Sequence, residues 1–330
     1  MAKKKEGIIS ESEVKTHAKK IRDIKDEISN AIVGQDVVVN SLVRGLVANG
    51  HVLMEGVPGI AKTLAIRVLG IVSGCQVKRV QFTVDLLPTD IIGLTIYREK
   101  KGDFEVVKGP VFSNFMIADE INRAPPKTQS ALLEAMEEKQ VTIGRETFNL
   151  DKPFFVMATQ NPLEQSGVYN LPEAQVDRFL FKIIMKYPER EHEKKIMSDN
   201  FELRGLDSVK LKKVVNPKEI VKIQKDVKRI HLSEEVKEYI SKIVQATRDK
   251  NKHYAKYISW GASPRASIGL FIASKAEALM NGRTFVKPQD VKAVVYDVLR
   301  HRIILGYEAE SEEITSDDVI KKIINETPVS

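Results

Sequence analysis

The stretch His51-Val52-Leu53-Met54-Glu55-Gly56-Val57-Pro58-Gly59-Ile60-Ala61-Lys62-Thr63 decides how this 330-residue chain is to be read. A short apolar run passes into a Gly/Pro loop, and the loop passes into the apolar segment TLAIRVLGIVS. Strand, loop and helix in that order are the context in which such a loop cradles phosphate. Glycines let backbone N–H groups turn inward, and the N-terminus of the following helix adds its positive dipole end. Lys62 is predicted to reach the β and γ phosphates of a nucleotide, and the Thr63 hydroxyl to ligate Mg²⁺. Ala61 stands where the general pattern has glycine, which costs little if that residue has the helical dihedrals of a first turn. The bland reading is a Gly/Pro turn before an ordinary helix, which the paired strand–loop–helix context makes the lesser one.

Phe115-Met116-Ile117-Ala118-Asp119-Glu120 reads as a buried strand that delivers two carboxylates at its carboxyl end. Carboxylates there need a counter-charge, because desolvation is expensive. A Mg²⁺ beside Asp119 and a polarised water beside Glu120 supply the reason for both. Alone the motif is weak; paired with an upstream phosphate loop it is strong. A third strand ends in Ala158-Thr159-Gln160-Asn161-Pro162. Two readings of Asn161 stand: a hydrogen bond to the attacking water or the γ-phosphate, and an Asn-Pro turn of local effect.

Two arginines carry comparable alternatives. Arg178, beside Asp177 in LPEAQVDRFLFK, is either half of a local ion pair or a finger aimed at a neighbouring subunit's γ-phosphate. In Gly261-Ala262-Ser263-Pro264-Arg265-Ala266, Ser263 reads as a helix N-cap and Pro264 as the first helical residue. A cation in that first turn opposes the helix dipole, so Arg265 is read as a phosphate-sensing group rather than neutral surface.

Around these motifs the chain alternates. HVLME, VQFTV, FMIAD, FFVMA and FLFKIIM are predicted strands, separated by helical patterns, which points to a largely parallel sheet covered on both faces. Two polar segments, TIYREKKGDFEVVKGP with its turn at Lys-Gly-Asp and QVTIGRETFNL with its turn at Gly144, are predicted β-hairpins. Residues 11 to 30 place Val14, Ala18, Ile21, Ile24 and Ile28 on one helical face. After Tyr187-Pro188 helical periodicity takes over. The expected organisation is an N-terminal helix over 1–30, an α/β core over 31–188 and a helical domain over 189–330.

Composition narrows the classes. Hydrophobic residues at 42% and charged residues at 29% suit a globular core. A single cysteine, Cys75, excludes an internal disulfide and a multi-cysteine zinc site, and is expected as a small buried filler. The six histidines form no ligand cluster. No apolar run is long enough for a membrane span, and the basic N-terminal cluster lacks the apolar segment of a secretory signal, so a cytoplasmic protein is expected. The net charge of +7 is concentrated: residues 186–256 hold 19 Lys/Arg and 12 Asp/Glu. That region is read as a solvated helical surface, with docking of an acidic partner or nucleic acid as the sharper alternative. Trp260 and Phe271 are expected in the core of the helical domain, and His301 and Arg302 show no chemistry in their spacing.

Together these stretches resemble the AAA+ ATPases, and within them the MoxR family. The resemblance runs from Ile32-Val33-Gly34-Gln35 nearly to the C-terminus. It is carried by GVPGIAKT, QFTVDLLPTDIIG, KGPVF, ADEINRAPPKTQSALLEAMEE, ATQNP, LPEAQVDRF, GASPRA and VKPQDVKAVVYDVLRHRI. It implies a five-stranded αβα core with β-hairpin insertions and an all-helical lid, assembled as a ring, usually a hexamer. Gly56, Val57, Pro58, Gly59, Ile60, Ala61, Lys62, Thr63 and Leu64 would form the Walker A site for ATP, with Val33, Gly34 and Gln35 on the adenine side. Asp119 and Glu120 would form Walker B, with Thr63 and Asp119 holding Mg²⁺. Asn161 would be sensor 1, Arg178 the finger acting in trans and Arg265 sensor 2. The resemblance further implies a remodeller of protein clients that works with a von Willebrand factor A domain partner. A nucleic-acid motor and a nucleotide-gated scaffold with little turnover are the competing readings.

Overall fold

Continuous apolar runs become buried strands, and the two periodic polar segments become hairpins. The computed structural model describes residues 7–32, 34–56, 62–100, 102–162, 167–187, 189–194 and 211–329. Val33, Val57, Pro58, Gly59, Ile60, Ala61 and the side chain of Lys62 lie outside the described residues. In chain order the elements begin α1 (Glu11–Ser29), α2 (Asp36–Val47), β1 (Val52–Glu55), α3 (Lys62–Ser73), β2 (Val77–Gln81) and α4 (Pro88–Ile92). The hairpin β3 (Gly93–Arg98)–β4 (Asp103–Lys108) follows, then β5 (Phe115–Asp119) and α5 (Pro126–Glu138). A second hairpin, β6 (Gln140–Ile143)–β7 (Glu146–Asn149), precedes β8 (Phe155–Gln160), α6 (Glu173–Val176) and β9 (Phe181–Ile184).

β2, β5, β8, β1 and β9 form one five-stranded sheet in that order. The pairs β2–β5, β5–β8 and β1–β8 run parallel, with Asp119 opposite Gln81 and Glu55 opposite Gln160. Parallel neighbours bring their carboxyl ends to one edge, where open α/β sheets bind ligands. Every residue of β5 is buried, and a continuous core runs through Leu53, Met116, Ala118, Leu132, Leu133, Met136 and Val156. Fully burying one such side chain contributes about 1.5–3 kcal/mol. The α1 face is buried as its spacing demands at Val14, Ala18, Ile21, Ile24 and Ile28. Both hairpins form, the second turning at Gly144 with φ +63°.

The second strand departs from expectation. VQFTV was the predicted run, but pairing covers Val77–Gln81 and ends as the Phe82 amide donates to the Asp119 carbonyl at 2.8 Å. β2 is an edge strand with only partial burial, so Lys78 and Arg79 are tolerated where an interior strand would need apolar residues. Thr83 then hydrogen-bonds Asp85 at 2.6 Å and turns the chain away.

By its internal contacts the chain falls into two compact units, Met1–Arg22 with Leu180–Lys182 and Lys222–Ser330, and Asp23–Phe179 with Ile183–Val221. The C-terminal part runs α7 (Pro217–Val227), α8 (Glu234–Ala246), β10 (Ile258–Trp260), α9 (Pro264–Met280), α10 (Pro288–Leu299), β11 (Ile304–Leu305), α11 (Tyr307–Ser311) and α12 (Ser316–Glu326). It is helical apart from the short β10–β11 ladder. α9 is buried at Ala266, Leu270, Ala273, Ala276 and Leu279, as a helix apolar on most sides must be. Arg302 is buried and donates to the carbonyls of Leu180 and Val298, a structural role. Cys75 is buried, and burial pushes its thiol up to about 12, which keeps it inert. Trp260 reverses expectation: it is 70% exposed, because the end of β10 projects its side chain outward, and Phe271 is only half-buried. Among the described residues no helix is long and apolar enough to cross a membrane.

Candidate functional site

Three strands deliver the expected groups to one edge. β1 ends at Glu55, and the Gly56 amide donates to the Gln160 carbonyl at 3.4 Å, tying the start of the glycine loop to the end of β8. Lys62 opens α3, and Thr63 follows within its first turn. Strand β5 delivers Asp119 buried and Glu120 just beyond it, and Asn161 follows β8 and is buried. Gly56, the two carboxylates and Asn161 therefore stand at or just beyond the carboxyl ends of β1, β5 and β8.

Asp119 is held on both oxygens. Thr159 donates to Oδ1 at 2.6 Å, while Oδ2 accepts from Arg79 Nε at 3.1 Å and lies 3.5 Å from the Thr63 hydroxyl. Glu120 adopts the left-handed backbone region, φ 55° and ψ 51°, uncommon for a residue with a side chain. Its amide donates to Thr159 Oγ1 at 2.9 Å and its carbonyl accepts from the Arg123 amide at 2.9 Å, which offsets the strain. The carboxylate accepts from Gln81 Nε2 at 2.7 Å and from Arg123 Nη1 at 3.1 Å. Immediately downstream, the buried Gln129 amide nitrogen lies within 3.2 Å of the carbonyls of Ile121, Ala124 and Tyr169, fixing the turn that follows Glu120.

A cavity of about 260 Å³ opens between the ends of β1 and β8, lined by Glu55, Asn122, Gln160, Asn161, Val168 and Asn170 among others. Asn122 is buried and its Oδ1 has no hydrogen-bond partner among the described residues. Gly34 takes φ +71°, and a Cβ there would stand 2.5 Å from the His192 ring, so His192 packs directly on the segment expected at the adenine side. Gln35 precedes α2 as its N-terminal residue, and Leu64 lies half-buried in α3.

The oxygen set of Thr63 and Asp119 fits a hard divalent cation that takes its remaining ligands from phosphate and water. Among the described residues no group of three or more His, Cys, Asp or Glu stands together to hold a metal ion.

The arginines separate. Arg178 lies just after α6 in the same unit as the Asp119 cluster, and its Nε pairs with Glu137 at 3.2 Å, both side chains partly exposed. Arg265 belongs to the other unit, on α9, where Pro264 is the first helical residue and the Ser263 hydroxyl accepts from the Arg265 amide at 3.2 Å. Four residues around the carboxylates were not singled out from sequence: Arg79, Gln81, Arg123 and Thr159. Arg79 and Gln81 carry a readable signal, since residues two apart on a strand share a face. Thr159 lies in the ATQNP stretch, where no local spacing marks it as a partner of Asp119.

Residues 51–181 match the model of the ATPase family associated with various cellular activities (AAA), and residues 251–323 match an AAA lid domain. The chain is 46% identical to Chaperone MoxR1 of Mycobacterium tuberculosis over 302 residues, covering 90% of this chain and 79% of that protein. It is 30% identical to Protein MoxR of Methylorubrum extorquens over 92% of this chain and 93% of that one. A crystallised protein of Cytophaga hutchinsonii, a candidate ATPase by its description, superposes with a TM-score of 0.89 at 45% identity, covering 97% of this chain and 98% of its own.

Proposed function

Because the chain belongs to the MoxR family of AAA+ ATPases, we propose that it hydrolyses ATP to ADP and phosphate in a Mg²⁺-dependent reaction, as a cytoplasmic ring, usually a hexamer, that remodels protein complexes. In this reading residues 31–188 are the nucleotide-binding core, residues 189–330 the lid and residues 1–30 a preceding helix. The observation that carries it is Asp119 at the end of β5, with Glu120 directly after it, its Oδ2 3.5 Å from the Thr63 hydroxyl in the first turn of α3.

The assigned roles follow from charge and position. The Walker A stretch from Gly56 to Leu64 cradles the phosphates, with the Lys62 ammonium on the β and γ groups, while Val33, Gly34 and Gln35 border the adenine. Thr63 and Asp119 would hold the metal, which when bound neutralises phosphate charge. Glu120 orients a water and takes its proton, and Asn161 donates to that water or to the γ-phosphate. Arg178 leaves Glu137 and reaches the γ-phosphate of a neighbouring subunit; an exposed pair worth at most about 1 kcal/mol is easily exchanged for a phosphate. Arg265, at the start of α9, senses the nucleotide from the lid. The partner class is a protein with a von Willebrand factor A domain, as in the family, and the exposed hairpins β3–β4 and β6–β7 are the candidate client contacts.

The test is ATP turnover per subunit against protein concentration, at low salt with Mg²⁺ and with Glu120→Gln as the background. A specific activity that rises with concentration and saturates supports sites completed between subunits. Turnover no higher than that of Glu120→Gln at every concentration removes the hydrolytic reading.

A further inference from the structure

Asp119 has two carboxylate oxygens, and they are committed differently. Oδ1 accepts the Thr159 hydroxyl at 2.6 Å, inside the sheet. Oδ2 faces the Thr63 hydroxyl at 3.5 Å, which makes it the oxygen available to a cation held between those two residues. That same oxygen accepts both Nε and Nη2 of Arg79. A guanidinium and a divalent cation satisfy the same need of a carboxylate, a nearby positive charge along its lone pairs, and they compete for it.

Arg79 is built to be exchanged. It projects from the edge strand β2, and its side chain is 53% exposed, against 12% for Asp119, so the guanidinium can swing into water, while the buried Asp119 charge it leaves requires a replacing cation. Its Nη2 also donates to Gln81 Oε1 at 3.2 Å, and Gln81 donates in turn to Glu120. A side chain two residues along the same strand thus pre-orients the guanidinium over Asp119.

We propose that Arg79 is a positioning residue that holds Asp119 Oδ2 in place of the divalent cation and yields that oxygen when the metal-nucleotide complex enters. The proposal rests on the reading of Asp119 and Thr63 as metal ligands. In the metal-free protein Arg79 neutralises Asp119, so phosphate is not repelled by a bare carboxylate. On metal entry it is displaced, and its hold on Asp119 is a cost subtracted from metal affinity.

The experiment titrates Mn²⁺ by electron paramagnetic resonance into the full chain saturated with a non-hydrolysable ATP analogue, and separately titrates that analogue in EDTA. Arg79→Ala is expected to bind Mn²⁺ about tenfold more tightly and the metal-free analogue several-fold more weakly, the scale of one charge-assisted contact. Arg79→Lys, which keeps the charge, is expected to return both affinities to within about threefold of the parent. Lys78→Ala removes a neighbouring charge whose side chain stands on the opposite face of β2, and is expected to change either affinity less than about twofold. If Arg79→Ala does not fold, Arg79→Gln, uncharged and similar in reach, carries the same prediction. Parent protein that binds Mn²⁺ while Arg79→Ala matches it, or matches Lys78→Ala, overturns the role of Arg79 alone. Parent protein that takes up no Mn²⁺ with the analogue overturns the metal-site reading and this proposal together.

Discussion

The Thr159 hydroxyl donates to Asp119 Oδ1 at 2.6 Å and accepts the Glu120 backbone amide at 2.9 Å, so one side chain on β8 fixes two consecutive carboxylate residues at the end of β5. Thr159→Val keeps the shape and removes both bonds. It leaves a buried carboxylate oxygen and a backbone amide short of partners, a loss of about 1–3 kcal/mol. The expected result is a lower urea midpoint and at least tenfold lower ATP turnover, with Thr159→Ser near the parent in both. Equal turnover in the valine variant would remove Thr159 from the site.

Arg178 and Glu137 make an exposed pair that contributes little to folding. Arg178→Ala is therefore expected to leave the thermal midpoint within about 2 °C while lowering turnover roughly 10³-fold, the scale of an arginine finger. Mixing Arg178→Ala subunits with Lys62→Ala subunits should restore part of the activity, since a mixed junction keeps one intact loop and one intact finger. No recovery on mixing would place the Arg178 contribution within its own subunit.

His51 is buried, its Nδ1 accepting from the Val156 amide at 3.0 Å and its Nε2 3.2 Å from the Met136 carbonyl. Those contacts assign a neutral ring with the proton on Nε2. Burial first, and the Lys139 charge second, pull its pKa down from 6.5 to about 4. Below 6.5 the unfolded chain takes up a proton that the folded chain refuses until about 4, so this stability is complete above 6.5 and is lost as the pH falls. The loss is about 3 kcal/mol by pH 4. Urea midpoints measured from pH 7 to 4 should fall more steeply for the parent than for His51→Gln.

Gly93 starts the first hairpin at φ +101°, where a Cβ would stand 2.2 Å from the Val107 carbonyl oxygen. Both the backbone region and the space exclude a side chain there. Gly93→Ala is expected to cost about 1–3 kcal/mol locally. Hydrogen exchange should show it as faster exchange across β3 and β4, with the amides of β5 and β8 unchanged. Uniform loss of protection across the sheet would show that the hairpin is coupled to the core.

The sequence alone determined the elements whose physics is local. An apolar strand ending at Glu55 and an apolar helix opening at Lys62, a strand that ends in two carboxylates, a Ser-Pro helix start at 263–264, and the α1 stripe from Val14 to Ile28 depend on neighbours in the chain. Only the tertiary structure decided the rest. The register of β2 against β5 set Gln81 opposite Asp119, and the edge position of β2 made a polar strand of Val77–Gln81 where the apolar run suggested one further on. Trp260 went to the surface because the end of β10 faces outward, which hydrophobicity cannot signal. The partners of the two carboxylates, Arg79, Gln81, Arg123 and Thr159, come mostly from other strands. Carboxylates at a strand end announce that they need partners; which side chains answer is settled by pairing across the sheet, a long-range choice that no local spacing encodes.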